Sequence, residues 1–141
     1  MAHVSGERRF AAPPSRVYEL LTDPDVIASA IPSVRSHRII DDDHWDAKVK
    51  PPIPLAPSIT VHFEVLDRRA EEHAALHAHG GGTDATSTFD LSPDGAGTLM
   101  RWETEIHLSG ILDRLAGSGL DAAAQRQAGR MLDAVERRLE S

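Results

Sequence analysis

Residues 120–139, LDAAAQRQAGRMLDAVERRL, are the stretch whose spacing decides the fold. Leu120, Ala124, Ala128, Met131, Val135 and Leu139 recur every three or four positions, which draws one apolar stripe along a helix of about five turns. Asp121, Arg126, Arg130, Asp133, Glu136 and Arg137 occupy the opposite face. Ser118, three residues before Asp121, is placed to cap the start, and Arg137 and Arg138 complement the dipole at the end. A stripe of that length needs a surface to lie on, so the rest of the chain must supply one.

Going back from this helix, the apolar period changes to two. Strands are expected over 34–40, 44–50, 58–67, 72–79, 84–91 and 98–108, joined by turn residues at 41–43, at the three glycines 80–82 and at 93–95. Alternation points Trp45, Ala47, Val49, Ile59, Val61, Phe63, Val65, Ala74, Leu76 and Ala78 to one side. Ala85, Ser87, Phe89, Leu91, Met100, Trp102, Thr104, Ile106 and Leu108 extend the same wall. The other side, with Lys48, Lys50, His62, Glu64, His77, Asp90, Arg101, Glu103 and Glu105, faces water.

The front of the chain adds a strand over 4–10, halted by Pro13 and Pro14. Two short helices follow, one burying Val17, Leu20 and Leu21, the next capped by Asp23 and burying Val26, Ile27, Ala30 and Ile31. Two helices inside an otherwise antiparallel run of seven strands make an α+β fold, one curved sheet around a long C-terminal helix. Ile111, Leu112 and Leu115 are out of phase with the 120–139 stripe, so a break near Gly117 and Gly119 is expected.

The 141 residues suit a single domain spanning 1–141. With 22 acidic and 15 basic side chains the net charge is −7, which disfavours nucleic acid as a partner. There is no cysteine, so disulfides, thiolate catalysis and Cys-bound zinc are excluded. No apolar run reaches the roughly 20 residues of a membrane span, and residues 1–6 lack a signal-peptide core, so a cytoplasmic location is expected.

Val4, Gly6 and Phe10 leading into Ala12-Pro13-Pro14-Ser15-Arg16-Val17-Tyr18, then Leu20-Leu21-Thr22-Asp23-Pro24 and Ile31-Pro32, resemble the CoxG-like branch, associated with carbon monoxide dehydrogenase, of the SRPBCC, or START/Bet v 1-like, superfamily. Leu91-Ser92-Pro93 and Gly97-Thr98 add to the likeness, whereas Ser33 stands where that branch has glycine. The resemblance implies a helix-grip fold with a cavity for apolar ligands between sheet and helix. It also implies an accessory or delivery role toward a molybdenum hydroxylase, with peripheral contact at the inner face of the membrane.

Ala47, Ala74, Ala78, Ala85, Ser87 and Thr104 on the sheet, with Ala124 and Ala128 on the helix, are too small to fill a deeply curved sheet at native density. A flatter sheet would instead give a solid core. The expected ligand contacts are Val61, Phe63, Leu76, Phe89, Met100, Trp102, Thr104, Ala124, Ala128 and Met131. The inward set holds no carboxylate, lysine or histidine, so no catalytic residue is assigned and a bound quinone-, lipid- or isoprenoid-like molecule is the leading expectation, with no cofactor. Two rivals stand beside it: an enzyme resembling polyketide cyclases and dehydratases, and an interaction module with a filled core.

Tyr18, Ser29 and Ser33 are candidate polar groups at the cavity mouth, against an ordinary surface or turn role. His62, His73, His77 and His79 invite a metal, but lacking a carboxylate at fixed spacing they read as a titrating surface cluster, and no metal site is assigned. Residues 51–57, PPIPLAP, are apolar yet unable to join a sheet. They suit either a cavity entrance and contact surface or a rigid connection that tucks Ile53 and Leu55 into the core edge.

Overall fold

A computed structural model describes residues 1–140. Strands β1 (Ala2–Phe10), β2 (Val34–Ile39), β3 (His44–Val49), β4 (Ile59–Arg69), β5 (His73–Gly80), β6 (Thr83–Asp94) and β7 (Gly97–Leu108) form one sheet in the order β1-β7-β6-β5-β4-β3-β2, antiparallel throughout. Because β1 and β2 lie at opposite edges, the chain must cross the whole sheet between them. Helices α1 (Pro14–Leu21) and α2 (Pro24–Ala30) make that crossing. The chain ends in α3 (Gly110–Ala116), a 3-10 turn (Gly117–Gly119) and α4 (Leu120–Glu140).

The period of two decides which side is buried. On β4, Val61, Phe63 and Val65 are buried while Thr60 and His62 are exposed, and β3 and β7 alternate in the same phase. Trp45 and Phe63 are direct cross-strand partners and stack with centroids 3.9 Å apart. β6 and β7 run further than expected, with Pro93 opposite Thr98 and the turn moved to residues 95–96. The β5–β6 ladder ends at His73 and Asp90, so β6 is paired on one side only at Pro93, where a strand tolerates proline.

Asp23 caps α2, its Oδ1 accepting from the backbone N–H groups of Asp25 (3.0 Å) and Val26 (3.4 Å). Pro14 opens α1 at the position where a missing N–H costs nothing. The expected break near Gly117 is present, and Gly117 has φ 58°. Ser118, by contrast, lies within the 3-10 turn that runs directly into α4, so the capping expected of it is not realised. The buried line of α4 is Ala123, Ala124, Leu132 and Val135, with Leu120, Ala128, Met131 and Leu139 half-buried beside it. Arg8 on β1 reaches Asp133 (2.6 Å) and Glu136 (3.5 Å) and ties α4 to the sheet edge.

Candidate functional site

The concave face of the sheet is occupied unequally. At one end α1 and α2 pack down beside α4, and Val17, Leu20 and Ile27 join Trp45, Phe63 and Met100 in one continuous core. Under the first half of α4 nothing equivalent fills the bowl, and a partly open cavity of about 230 Å³ remains. Thr83, Ala85, Ser87 and Phe89 of β6 and Trp102, Thr104, Ile106 and Leu108 of β7 form its floor. Leu120, Ala123, Ala124, Gln127, Ala128, Met131 and Leu132 of α4 form its roof. Ile31, Pro32, Ser33, Val49, Pro51, Pro52, Ile53, Ile59 and Leu112 complete the wall.

Small side chains explain the space. Ala85 and Ser87 on the floor stand below Ala123, Ala124 and Ala128 on the roof, and none of these reaches far enough to fill the gap. Trp102 is held over Gly6, its cross-strand partner on β1, where a Cβ would come within 2.9 Å of the indole ring. The absent side chain leaves the ring room beside the strand. Ser87 and Thr104 are also direct partners, with their hydroxyl oxygens 2.8 Å apart.

Of the ten expected contacts, Phe89, Trp102, Thr104, Ala124, Ala128 and Met131 line this cavity. Val61, Phe63, Leu76 and Met100 stand outside it, Val61, Phe63 and Met100 buried in the core and Leu76 half-buried against it. Ala47 and Ala74 are likewise covered, so their small size opens no space. Ala85 and Ser87, two of the small residues expected to leave space, line it as well, and Val49, Ile59, Ile106 and Leu108 share the inward phase without belonging to the expected contacts. Ser33 lines the cavity, whereas Tyr18 and Ser29 do not. Gln127 gave no signal, being a polar residue on the border of the apolar stripe.

The 51–57 loop combines both of its expected roles. Pro51, Pro52 and Ile53 line the cavity, and Ile53 and Ala56 pack with Leu112, while the Lys50 ammonium donates to the Ala56 carbonyl. Leu55 is not tucked in: it is 91 % exposed at the loop tip.

Among the described residues, no aspartate, glutamate, lysine, arginine or histidine lines the cavity. The four histidines lie on the sheet away from it. His62 bonds Asp46 (2.6 Å), His73 bonds Asp90 (2.7 Å) and His77 bonds Asp84 (3.1 Å), while His79 packs against the rings of His62 and His77. No group of three or more potential ligands suited to a metal ion occurs among the described residues. Nor is any described helix long and apolar enough to cross a membrane.

The architecture recurs in solved structures. A conserved protein from Geobacillus kaustophilus superposes with a TM-score of 0.84 at 18% identity, covering 98% of this chain and 95% of that one. A START superfamily protein from Mycobacterium smegmatis gives 0.79 at 15% identity, covering 99% and 98%. Ara h 8.0201 gives 0.72 at 12% identity, covering 99% and 98%. At these identities the likeness is one of fold, the helix-grip arrangement. No curated protein matches the chain in sequence. The family match extends over residues 1–140, and the chain belongs to the family described as polyketide cyclase / dehydrase and lipid transport.

Proposed function

We propose that this chain binds a hydrophobic small molecule without transforming it, and that the guest occupies the space between β6, β7 and the first half of α4. One observation carries the reading: the cavity of about 230 Å³ has an apolar lining whose side-chain polar groups are hydroxyls, one amide and the Trp102 indole N–H. Polyketide cyclisation and dehydration need a proton donor or acceptor within hydrogen-bond reach of the substrate. Ser33, Thr83, Ser87, Thr104 and Gln127 are the polar lining residues, and an unassisted hydroxyl or amide is a poor acid or base at neutral pH. Binding is therefore favoured over the catalytic half of the family's description.

The guest is a quinone-, lipid- or isoprenoid-like molecule whose inserted part is small, because ordinary ligand pockets span roughly 300 to 1,000 Å³ and this one lies below that range. Its contacts are Phe89, Trp102, Thr104, Ala124, Ala128 and Met131, with Ile106 and Leu108 added from the geometry. The front motif 12–24 supports a CoxG-like role, delivering the guest to a molybdenum hydroxylase of the carbon monoxide dehydrogenase type or assisting its maturation. Peripheral membrane contact belongs to the same reading, with the exposed Leu55 as its support.

Native mass spectrometry of freshly purified protein tests the binding step, alongside thermal shift with a short-tailed ubiquinone analogue. A retained apolar mass, or a rise in Tm that grows with quinone concentration, is expected. Repeated apo spectra with no shift would count against binding. Co-purification with a molybdenum hydroxylase tests the delivery role separately.

A further inference from the structure

Two apolar rungs flank one polar rung on the floor of the cavity. Across the β6–β7 ladder, Phe89 faces Trp102 and Ala85 faces Ile106, and between them Ser87 faces Thr104. All six side chains line the cavity. We infer that the Ser87–Thr104 hydroxyl pair reads a single oxygen on a neutral guest (a phenol, alcohol or ketone) and that the cavity rejects carboxylates and amines of the same shape. The inference deepens the binding reading above and rests on it.

The hydrogen-bond inventory leads there. Each hydroxyl carries one O–H donor and two acceptor lone pairs. At 2.8 Å one hydroxyl donates to the other, which leaves one donor and several lone pairs for the cavity. Surrounded by hydrocarbon, that leftover donor gains most from a guest that supplies an acceptor at the same height on the floor. A phenol or alcohol can accept from it through its oxygen or donate its O–H to a lone pair; a ketone oxygen can accept.

Charge decides what is excluded. With no lysine, arginine or histidine in the lining of the described residues, a carboxylate would be buried without a counter-ion. With no aspartate or glutamate there, an ammonium would fare as badly. Fatty-acid-like guests are therefore disfavoured, although their tails suit the walls.

Calorimetric titration of the whole chain at pH 7 with 2-naphthol, naphthalene and 2-naphthoate tests this. The naphthol should bind about three- to tenfold more tightly than naphthalene, the effect of one neutral hydrogen bond, and the naphthoate more weakly than both. In Ser87→Ala/Thr104→Val the naphthol and naphthalene affinities should converge. Should the double variant not fold, Ser87→Ala and Thr104→Val are read singly, each expected to narrow the gap. Equal affinities in the native chain, naphthoate binding as tightly as naphthol, or a gap unchanged by the substitutions would each overturn the inference. In those cases the binding reading still stands, whereas binding of none of the three would sink both.

Discussion

Gly6 and Trp102 show how one missing side chain shapes the cavity. The indole lies over Gly6, and a methyl group there would come within 2.9 Å of it. In Gly6→Ala the ring must lift, and the cavity beside it offers the room. The expected cost is about 1 kcal/mol, the low end for overpacking, because the ring moves into empty space and not into packed neighbours. Chemical denaturation measures that loss, and quinone affinity should fall by a larger factor. A second local feature is the turn between β2 and β3. The Asp41 carboxylate, 2.8 Å from the imidazole, raises the pKa of His44 above the ordinary 6.5. The imidazole, followed by the Asp43 backbone N–H, lowers that of Asp41 below 3.8. The raised histidine contributes stability that is complete below 6.5 and lost as pH rises through its folded value. The lowered carboxylate contributes stability present above 3.8 and lost as pH falls through its own. The pair therefore holds the turn best between those limits. An NMR titration of His44 should show the raised value, returning toward 6.5 in Asp41→Asn.

At the scale of elements, the short helices decide where the cavity ends. Asp23 fastens α2 by accepting from two backbone N–H groups, so Asp23→Ala should cost about 1 kcal/mol in equilibrium unfolding. Because α2 packs on α4, the loss should appear in the global transition. The elements were readable because each has a strong local signature. Strands such as β7 alternate along their whole length, and α4 keeps its stripe over twenty residues. The local pattern fails where it competes with its neighbours. Ser118 has a capping side chain, but the glycines around it let the chain continue as a 3-10 turn. Ala75 lies out of the inward phase yet is buried, beside the β4 irregularity between Leu66 and Arg69 where the alternation slips.

Over the whole molecule, the bowl is half filled and half empty. Periodicity says that Phe63 and Phe89 both point inward, but it does not say which end of the sheet the α1–α2 pair covers. That depends on the crossing from β1 to β2, a long-range property with no local signature. Phe89, Trp102, Thr104, Ala124, Ala128 and Met131 stand around the opening; Val61, Phe63, Leu76 and Met100 lie in the core outside it. If the opening is retained for a guest, filling it should stabilise the chain and abolish binding together. Ala128→Leu projects three more carbons from the roof and should raise stability by about 1 to 2 kcal/mol through added burial, measured by thermal or chemical unfolding.

The chain has two tryptophans, one in the closed half and one on the cavity wall. Trp45 is fully buried and its indole N–H finds no acceptor among the described residues, so Trp45→Phe removes an unpaired donor and leaves Trp102 as the only tryptophan. Fluorescence of that variant, titrated with a short-tailed ubiquinone analogue, reports directly on the proposed site. Saturable quenching that disappears when Ala128→Leu is added is the result expected of a guest seated between β7 and α4. Quenching that rises linearly without saturation, or that Ala128→Leu leaves untouched, would contradict it.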